Sequence, residues 1–412
     1  MGFYKRYLER QIDEGWSSVG GAVCAECFTD YAIKEFIETN ATEIECSYCS
    51  RTSKEPIAAE MDEVLSFISH GFRREYDIPE NTLPWDSREG GWQLVTPDDS
   101  YDLFHDLDIC SEDSGSLLDD LIRAFSDRQF VERDPLGVSR ADGFKYSWES
   151  FCDHTKHKTR FVFFKERRVR RRKYDGPEEW KGQSVPYHIL LDLGSMVKTN
   201  KLIRILPKGT RIVRARQHST TVSYSLAKDL GTPPEDKASQ SRMSPAGIPM
   251  FYGATDENTA FAETFDSAAT AKDVVTFGTF RTARAFLMLD LTDVPDVPSI
   301  FDEVRYDERP PLIFLQHFRR EISKPIVRDD RIHYEYVPTQ IAAEYFRHIY
   351  REGRRRVDGI MFNSSQRGSG VCDCMFATAD SCTDGPKFTR EHMLMLERSR
   401  TATIDFATGC FI

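Results

Sequence analysis

The chain has 412 residues, 40% of them hydrophobic, which is too long for one ordinary core and ample for two or three domains. A net charge of -11 argues against a general nucleic-acid coat, which would be basic. No apolar run reaches the roughly eighteen residues that cross a bilayer, and the charged stretch Met1–Arg10 is no secretory signal, so a cytoplasmic protein without a membrane partner is expected.

The first segment, residues 1–57, carries Cys24-Ala-Glu-Cys27, then eighteen residues, then Cys46-Ser-Tyr-Cys49. Each CxxC turn can place two soft sulfur donors on one ion, and two such turns complete a tetrahedron, so the pattern predicts a structural Zn2+ site. With Cys24, Cys27, Cys46 and Cys49 as ligands, no position remains for a catalytic water. Gly20 and Gly21 permit a tight approach to the first pair. Residues 28–38 have helical spacing, with Phe28, Ala32, Phe36 and Ile33 along one side. The other six cysteines read as free thiols.

Residues 58–182 read as a mainly helical module followed by a linker. Met61–His70 and Ser116–Phe125 each carry an amphipathic stripe, and Pro79–Gly91 has the composition of a loop. Trp148–His157 continues as a helix toward the apolar Arg160–Phe164. His154 and His157 are assigned to surface or packing rather than to metal. The basic runs Arg167–Arg172 and Arg354–Arg356 are taken as solvated surface or linker. A boundary is placed in 165–185, where charge dominates and Gly176, Pro177 and Gly182 punctuate the chain.

From 183 to 412 the pattern mixes strands and helices. Arg211–Arg216 alternates as a strand, with Val213 and Ala215 on one face and Arg214 and Arg216 on the other. A guanidinium pair on one strand face can grip a diphosphate, because each fork bonds phosphate oxygens in two places. Arg242 opens a loop shaped by Pro245, Gly247 and Pro249, which leads into a short strand at Met250–Ala254. There Tyr252 can stack on a flat heterocycle, or sit in the core with its hydroxyl satisfied. Thr255 or Asp256 caps a helix that carries Glu263. Ala285–Leu291 reads as a strand buried on both faces, and Pro338-Thr339 as a helix start. Val357–Gln366 reads as a strand ending at Ser364 and Ser365.

The ordered set Arg214, Arg242, Glu263 and Ser364, with the segment Arg242–Glu263 between, resembles the signature of the RES domain family. The family serine falls on Ser364, with Ser365 the alternative. The cysteine pairs, the Glu89–Trp92 turn and the Trp148–Phe164 stretch resemble the HEPN-like module that precedes some RES domains. No Arg–His spacing of the kind HEPN nucleases use surrounds His70, His105, His154 or His157, so a scaffold or sensor is expected and nucleic acid is not indicated as a substrate.

The resemblance implies a compact α/β domain similar to ADP-ribosyltransferases, with two small sheets forming a cleft for NAD. It further implies cleavage of the nicotinamide–ribose bond in the manner of an NAD-depleting toxin. Arg214 would hold the diphosphate with help from Arg216 or Arg242. Tyr252 would stack on nicotinamide, Glu263 would stabilise the ribosyl cation, and Ser364 would orient the ribose or the carboxamide. Hydrolysis, phosphorolysis and ADP-ribosyl transfer to a macromolecule share such a cleft, and a non-catalytic, zinc-dependent interaction protein is the reading from another class. Relatives pair with an antitoxin that blocks the cleft, so an antitoxin, a regulatory protein or a second copy of the chain is a candidate partner.

Overall fold

The computed structural model describes residues 15–135, 137–162, 187–324, 332–385, 389 and 391–412. The basic run at 167–172 and the boundary segment 165–185 lie outside these residues. The chain packs into two units, Met1–Ser139 with Val297–Pro310, and Arg140–Asp296 with Pro311–Ile412.

In the first unit, β1 (Ala22–Cys24) pairs antiparallel with β2 (Ala58–Glu60), which brings the two cysteine knuckles to one end of a small core. Helix α1 (Tyr31–Asn40) begins where the Asp30 carboxylate accepts the Ala32 and Ile33 amides. That cap leaves Phe28 ahead of the helix, where it is buried all the same, and the helix buries the expected Ala32 and Ile33 together with Ile37 rather than Phe36. Phe36 is only partly buried and stacks on Phe67 at 4.3 Å.

Helix α2 (Met61–Glu75) buries Val64, Leu65, Ile68 and Phe72, an amphipathic stripe. Phe72 is the centre of an aromatic cluster, with ring centroids 5.4 Å from Phe104 on α3 (Ser100–Leu107) and 5.5 Å from Phe125, just past α4 (Leu117–Ala124). Phe301, from the returning segment Val297–Pro310, adds a fourth ring at 5.8 Å. Residues 79–91 are not a plain loop: Pro79–Thr82 makes one helical turn, and Trp85–Asp86 pairs with Gly91–Trp92.

The second unit opens with α5 (Arg140–His157), whose buried Trp148 meets Phe318 edge-on at 5.0 Å, and α6 (His188–Thr199) follows. Its strands are β3 (Ile203–Leu206), β4 (Arg211–His218), β5 (Phe251–Ala254), β6 (Val274–Thr282), β7 (Phe286–Asp290), β8 (Gly359–Asn363), β9 (Val371–Met375), β10 (Cys382–Asp384), β11 (Leu394–Asp405) and β12 (Cys410–Phe411). They form a ten-stranded mixed sheet in the order β10-β11-β6-β4-β5-β9-β8-β7-β3, with β12 paired to β11. Helices α7 (Glu257–Thr264), α8 (Arg309–Ser323) and α9 (Val337–Glu344) complete the unit. All of β7 is buried, as its unbroken apolar run requires.

A weak seam runs between β4 and β5. β4 pairs with β6 from Arg211↔Arg281 to His218↔Val274, whereas β4 and β5 share only Val213↔Ala254. The ladder is nearly absent there, so the sheet is two halves held by a single register pair.

A buried acid on β9 gives a pH dependence. Asp373 is 3% exposed, one carboxylate oxygen has no hydrogen-bond partner, and burial, reinforced by the Asp290 charge, pushes its pKa up to about 7. Between roughly pH 4 and 7 the native state therefore holds a proton that the unfolded chain releases. Stability from this group is complete below about pH 4 and is lost as pH rises through about 7, a change on the order of 4 kcal/mol. Asp373→Asn is expected to flatten this slope in urea titrations taken from pH 4 to pH 8; an unchanged slope would assign it to other groups.

Candidate functional site

The seam opens into a cavity of about 430 Å3 lined by, among others, Arg214, Arg242, Tyr252, Glu263, Ser365 and Cys372. That volume lies within the usual range for small-molecule sites. Arg214 projects from β4 because strand alternation commits Val213 and Ala215 to a core shared with Ala254, Ala260 and Phe261. The Arg214 Nη1 atom is buried and has no hydrogen-bond partner, while the guanidinium carbon lies 5.2 Å from the centre of the Phe251 ring. Burial, and then the nearby Arg216 charge, pushes this guanidinium down to about 10, still cationic at neutral pH. A buried donor without a partner is costly unless an anion completes it.

Glu263 lies in the last turn of α7, a helix capped by Asp256, whose carboxylate accepts the Thr259 amide at 2.9 Å and the Thr259 hydroxyl at 2.6 Å. The Glu263 carboxylate is held from the end of β8: Ser364 Oγ donates to Oε1 at 2.6 Å, and the Ser365 amide donates to the same oxygen at 3.1 Å. Ser364 Oγ in turn accepts the Gln366 and Arg367 amides, each at 3.1 Å. One donated and two accepted bonds use the whole capacity of a hydroxyl. Gly370 makes room for this arrangement, since a Cβ there would lie 2.6 Å from the Thr259 side chain. Ser364 is buried and does not line the cavity, whereas Ser365 does.

The loop from Ser239 to Pro249 forms another wall. Its shape depends on Tyr252, whose hydroxyl is bonded to Ser241 Oγ and accepts the Met243 amide at 3.2 Å. Burial raises that phenol well above its ordinary value, so it stays neutral. Tyr252 thus lines the cavity while its hydroxyl is held by the protein, as the core reading of the sequence expects. The loop is also tied to α9: Gln340 Nε2 donates to the Ser241 and Ser244 carbonyls at 2.8 and 3.2 Å, and Thr339 Oγ1 donates to the Arg242 carbonyl at 2.6 Å. Arg242 reaches the cavity with one nitrogen donating to the Ile322 carbonyl, and burial lowers its pKa, partly offset by the charges of Tyr336 and Glu263.

Arg216 is on the same strand face as Arg214 but does not line the cavity. Its guanidinium donates to the Asp229 carbonyl at 2.5 Å and lies over the Tyr224 ring at 5.2 Å. The structure thus brings Arg214, Arg242, Tyr252 and Glu263 to one cavity, keeps Ser364 behind Glu263, and turns Arg216 away. Cys372, which sequence reasoning passed over, also lines the cavity, and Gln340, likewise passed over, braces the loop beside it. Gln340 lies two residues past the Pro338 that marked a helix start, and no local pattern distinguishes a buried glutamine from an exposed one.

In the first unit Cys24, Cys27, Cys46 and Cys49 converge, with all four sulfurs within 4.8 Å of one another. Cys24 lies 3.5 Å from Cys49 and 3.8 Å from Cys27, and Cys27 lies 3.7 Å from Cys46. A tetrahedron with metal–sulfur bonds of about 2.3 Å has edges of about 3.8 Å. The four cysteines are thus positioned to bind a metal ion.

Two family models match successive parts of the chain. Residues 39–169 match the model of the HEPN/RES N-terminal domain 1, and residues 211–394 match that of the RES domain. The first match includes Cys46 and Cys49, and the second includes Arg214, Arg242, Tyr252, Glu263 and Ser364. Among curated proteins and solved structures no match was found.

Proposed function

We propose that this chain, which belongs to the RES domain family and carries a HEPN/RES N-terminal domain, is an enzyme that cleaves the nicotinamide–ribose bond of NAD. One observation carries the reading: a buried guanidinium with one nitrogen lacking a hydrogen-bond partner and a carboxylate fixed by two donors line the same cavity at an open sheet seam. Arg214 pairs with the diphosphate, assisted by Arg242, and the Tyr252 ring stacks on the nicotinamide. As the C–N bond breaks, its electron pair leaves with neutral nicotinamide and positive charge develops on the ribose. The Glu263 carboxylate stabilises that charge where it forms. No proton need be delivered to the leaving group, because a pyridinium departs as neutral nicotinamide.

Ser364 is a positioning residue in this scheme, because its hydroxyl is already saturated by Glu263 and two amides. Ser364→Ala is expected to lower kcat by about ten- to a hundredfold with little change in KM. Ser365→Ala leaves the amide that bonds Glu263 in place and is expected to change turnover little. Equal losses in both variants would contradict the assignment of the family serine to Ser364.

The thiol cluster is proposed to hold Zn2+ as a structural ion, with no role in bond cleavage, and the N-terminal module to regulate the RES domain in place of a separate antitoxin. The direct test follows free nicotinamide after mixing purified protein with NAD. Release by the wild type is expected. Arg214→Ala should raise KM by about tenfold or more while kcat falls less, as expected when ground-state binding is removed. NAD bound but never cleaved would sink the reading. Label from NAD appearing on a macromolecule would replace it with ADP-ribosyl transfer.

A further inference from the structure

The four thiols of the N-terminal cluster are not equivalent. Cys24, Cys27 and Cys46 are 2%, 1% and 1% exposed, whereas Cys49 is only partly buried. Cys49 also opens into a separate cavity of about 440 Å3, whose other lining residues include Ser111 and the opposed charges of Lys34, Arg51, Glu26 and Asp113, with Arg51 paired to Glu26 at 3.7 Å. The Ser111 hydroxyl is buried there without a hydrogen-bond partner. The sulfur 3.5 Å from Cys49 belongs to Cys24, a closer approach than the 3.7 and 3.8 Å of the other two short pairs.

We propose that Cys49 is a site of oxidation by small hydroperoxides, with Cys24 as its resolving thiol. A peroxide of water-like size can enter the cavity and reach the Cys49 sulfur. It cannot reach Cys27 or Cys46, which are buried in the hydrophobic core. The Cys49 sulfur attacks one peroxide oxygen, the O–O bond breaks, and the departing hydroxide takes up the thiol proton and leaves as water, so that a sulfenic acid remains on Cys49. The Cys24 sulfur then attacks the Cys49 sulfur, and its proton leaves with the displaced hydroxide as a second water, closing a Cys24–Cys49 disulfide. Two electrons leave the protein and reduce one peroxide to two waters, so the step balances. The Ser111 hydroxyl, buried in the same cavity without a partner, can donate to the departing oxygen. A metal held by the cluster loses two of its four ligands and is released.

This inference is independent of the NAD reading, and its test requires no turnover. The full-length protein is treated with hydrogen peroxide, free metal is followed with a chromophoric chelator, and disulfides are mapped by mass spectrometry after alkylation. The expected result is a Cys24–Cys49 cross-link that grows in step with metal release and is reversed by dithiothreitol. Ser111→Ala should slow the cross-linking several-fold at unchanged metal content. Exposed Cys410 provides an internal comparison within the same sample. Oxidation of Cys410 while the cluster stays reduced, or a Cys27–Cys46 cross-link in place of Cys24–Cys49, would overturn the proposal. The cross-link is read by mass alone, so the outcome is decisive whether or not the isolated protein carries metal.

Discussion

Glu263→Gln is expected to lower the rate of nicotinamide release by about a thousandfold while leaving the protein folded, the loss typical when one preorganised electrostatic group is removed. Glutamine has the shape of glutamate, and its carbonyl oxygen can still accept from Ser364 Oγ and from the Ser365 amide. What it lacks is the negative charge that opposes charge building on the ribose. NAD affinity should therefore change much less than kcat, because the charge is absent from the ground state of the sugar. Melting temperature and near-ultraviolet circular dichroism check that the pocket survives. Turnover within tenfold of wild type would remove Glu263 from the chemistry and leave the cavity as a binding site alone.

The residues that make this prediction possible were unequally visible in the sequence. The strand carrying Arg214 followed from period-two alternation, and the capped helix carrying Glu263 from Asp256 and the small residues after it. Both are local patterns, set by backbone geometry within a few residues. The bond from Ser364 to Glu263 spans 101 positions, and no local pattern encodes it. Only the order of the family signature placed the two together, and it could not say that the serine would face the carboxylate rather than the ligand. Arg216 illustrates the opposite limit. Alternation correctly put it beside Arg214, but a long side chain has several rotamers, and the Asp229 carbonyl and Tyr224 ring captured it elsewhere. Phe301 was illegible for a similar reason: it enters the core around Phe72 from a segment more than two hundred residues away. The four cysteines were the clearest case, because a metal demands closely spaced ligands and a CxxC turn advertises them.

Metal removal is the second large effect. The elements around the thiol cluster are too small to persist alone: β1 and β2 have three residues each, and α1 has ten. Cys24, Cys27 and Cys46 belong to the same buried cluster as Val23, Phe28, Ile33 and Ile37, so the knuckles are part of the core rather than an attachment to it. Structural zinc sites contribute on the order of 10 kcal/mol of binding free energy at neutral pH, comparable with the whole stability of a domain. Chelation, or Cys27→Ser, is therefore expected to unfold the first unit while the ten-stranded sheet of the second keeps its own core around Phe251, Phe280 and Phe286. Calorimetry of the wild type should show a transition that disappears with the metal and another that remains. Hydrogen exchange should localise the loss to residues 22–125. A melting profile indifferent to chelator, with metal content verified before and after, would mean that hydrophobic burial alone holds those knuckles together.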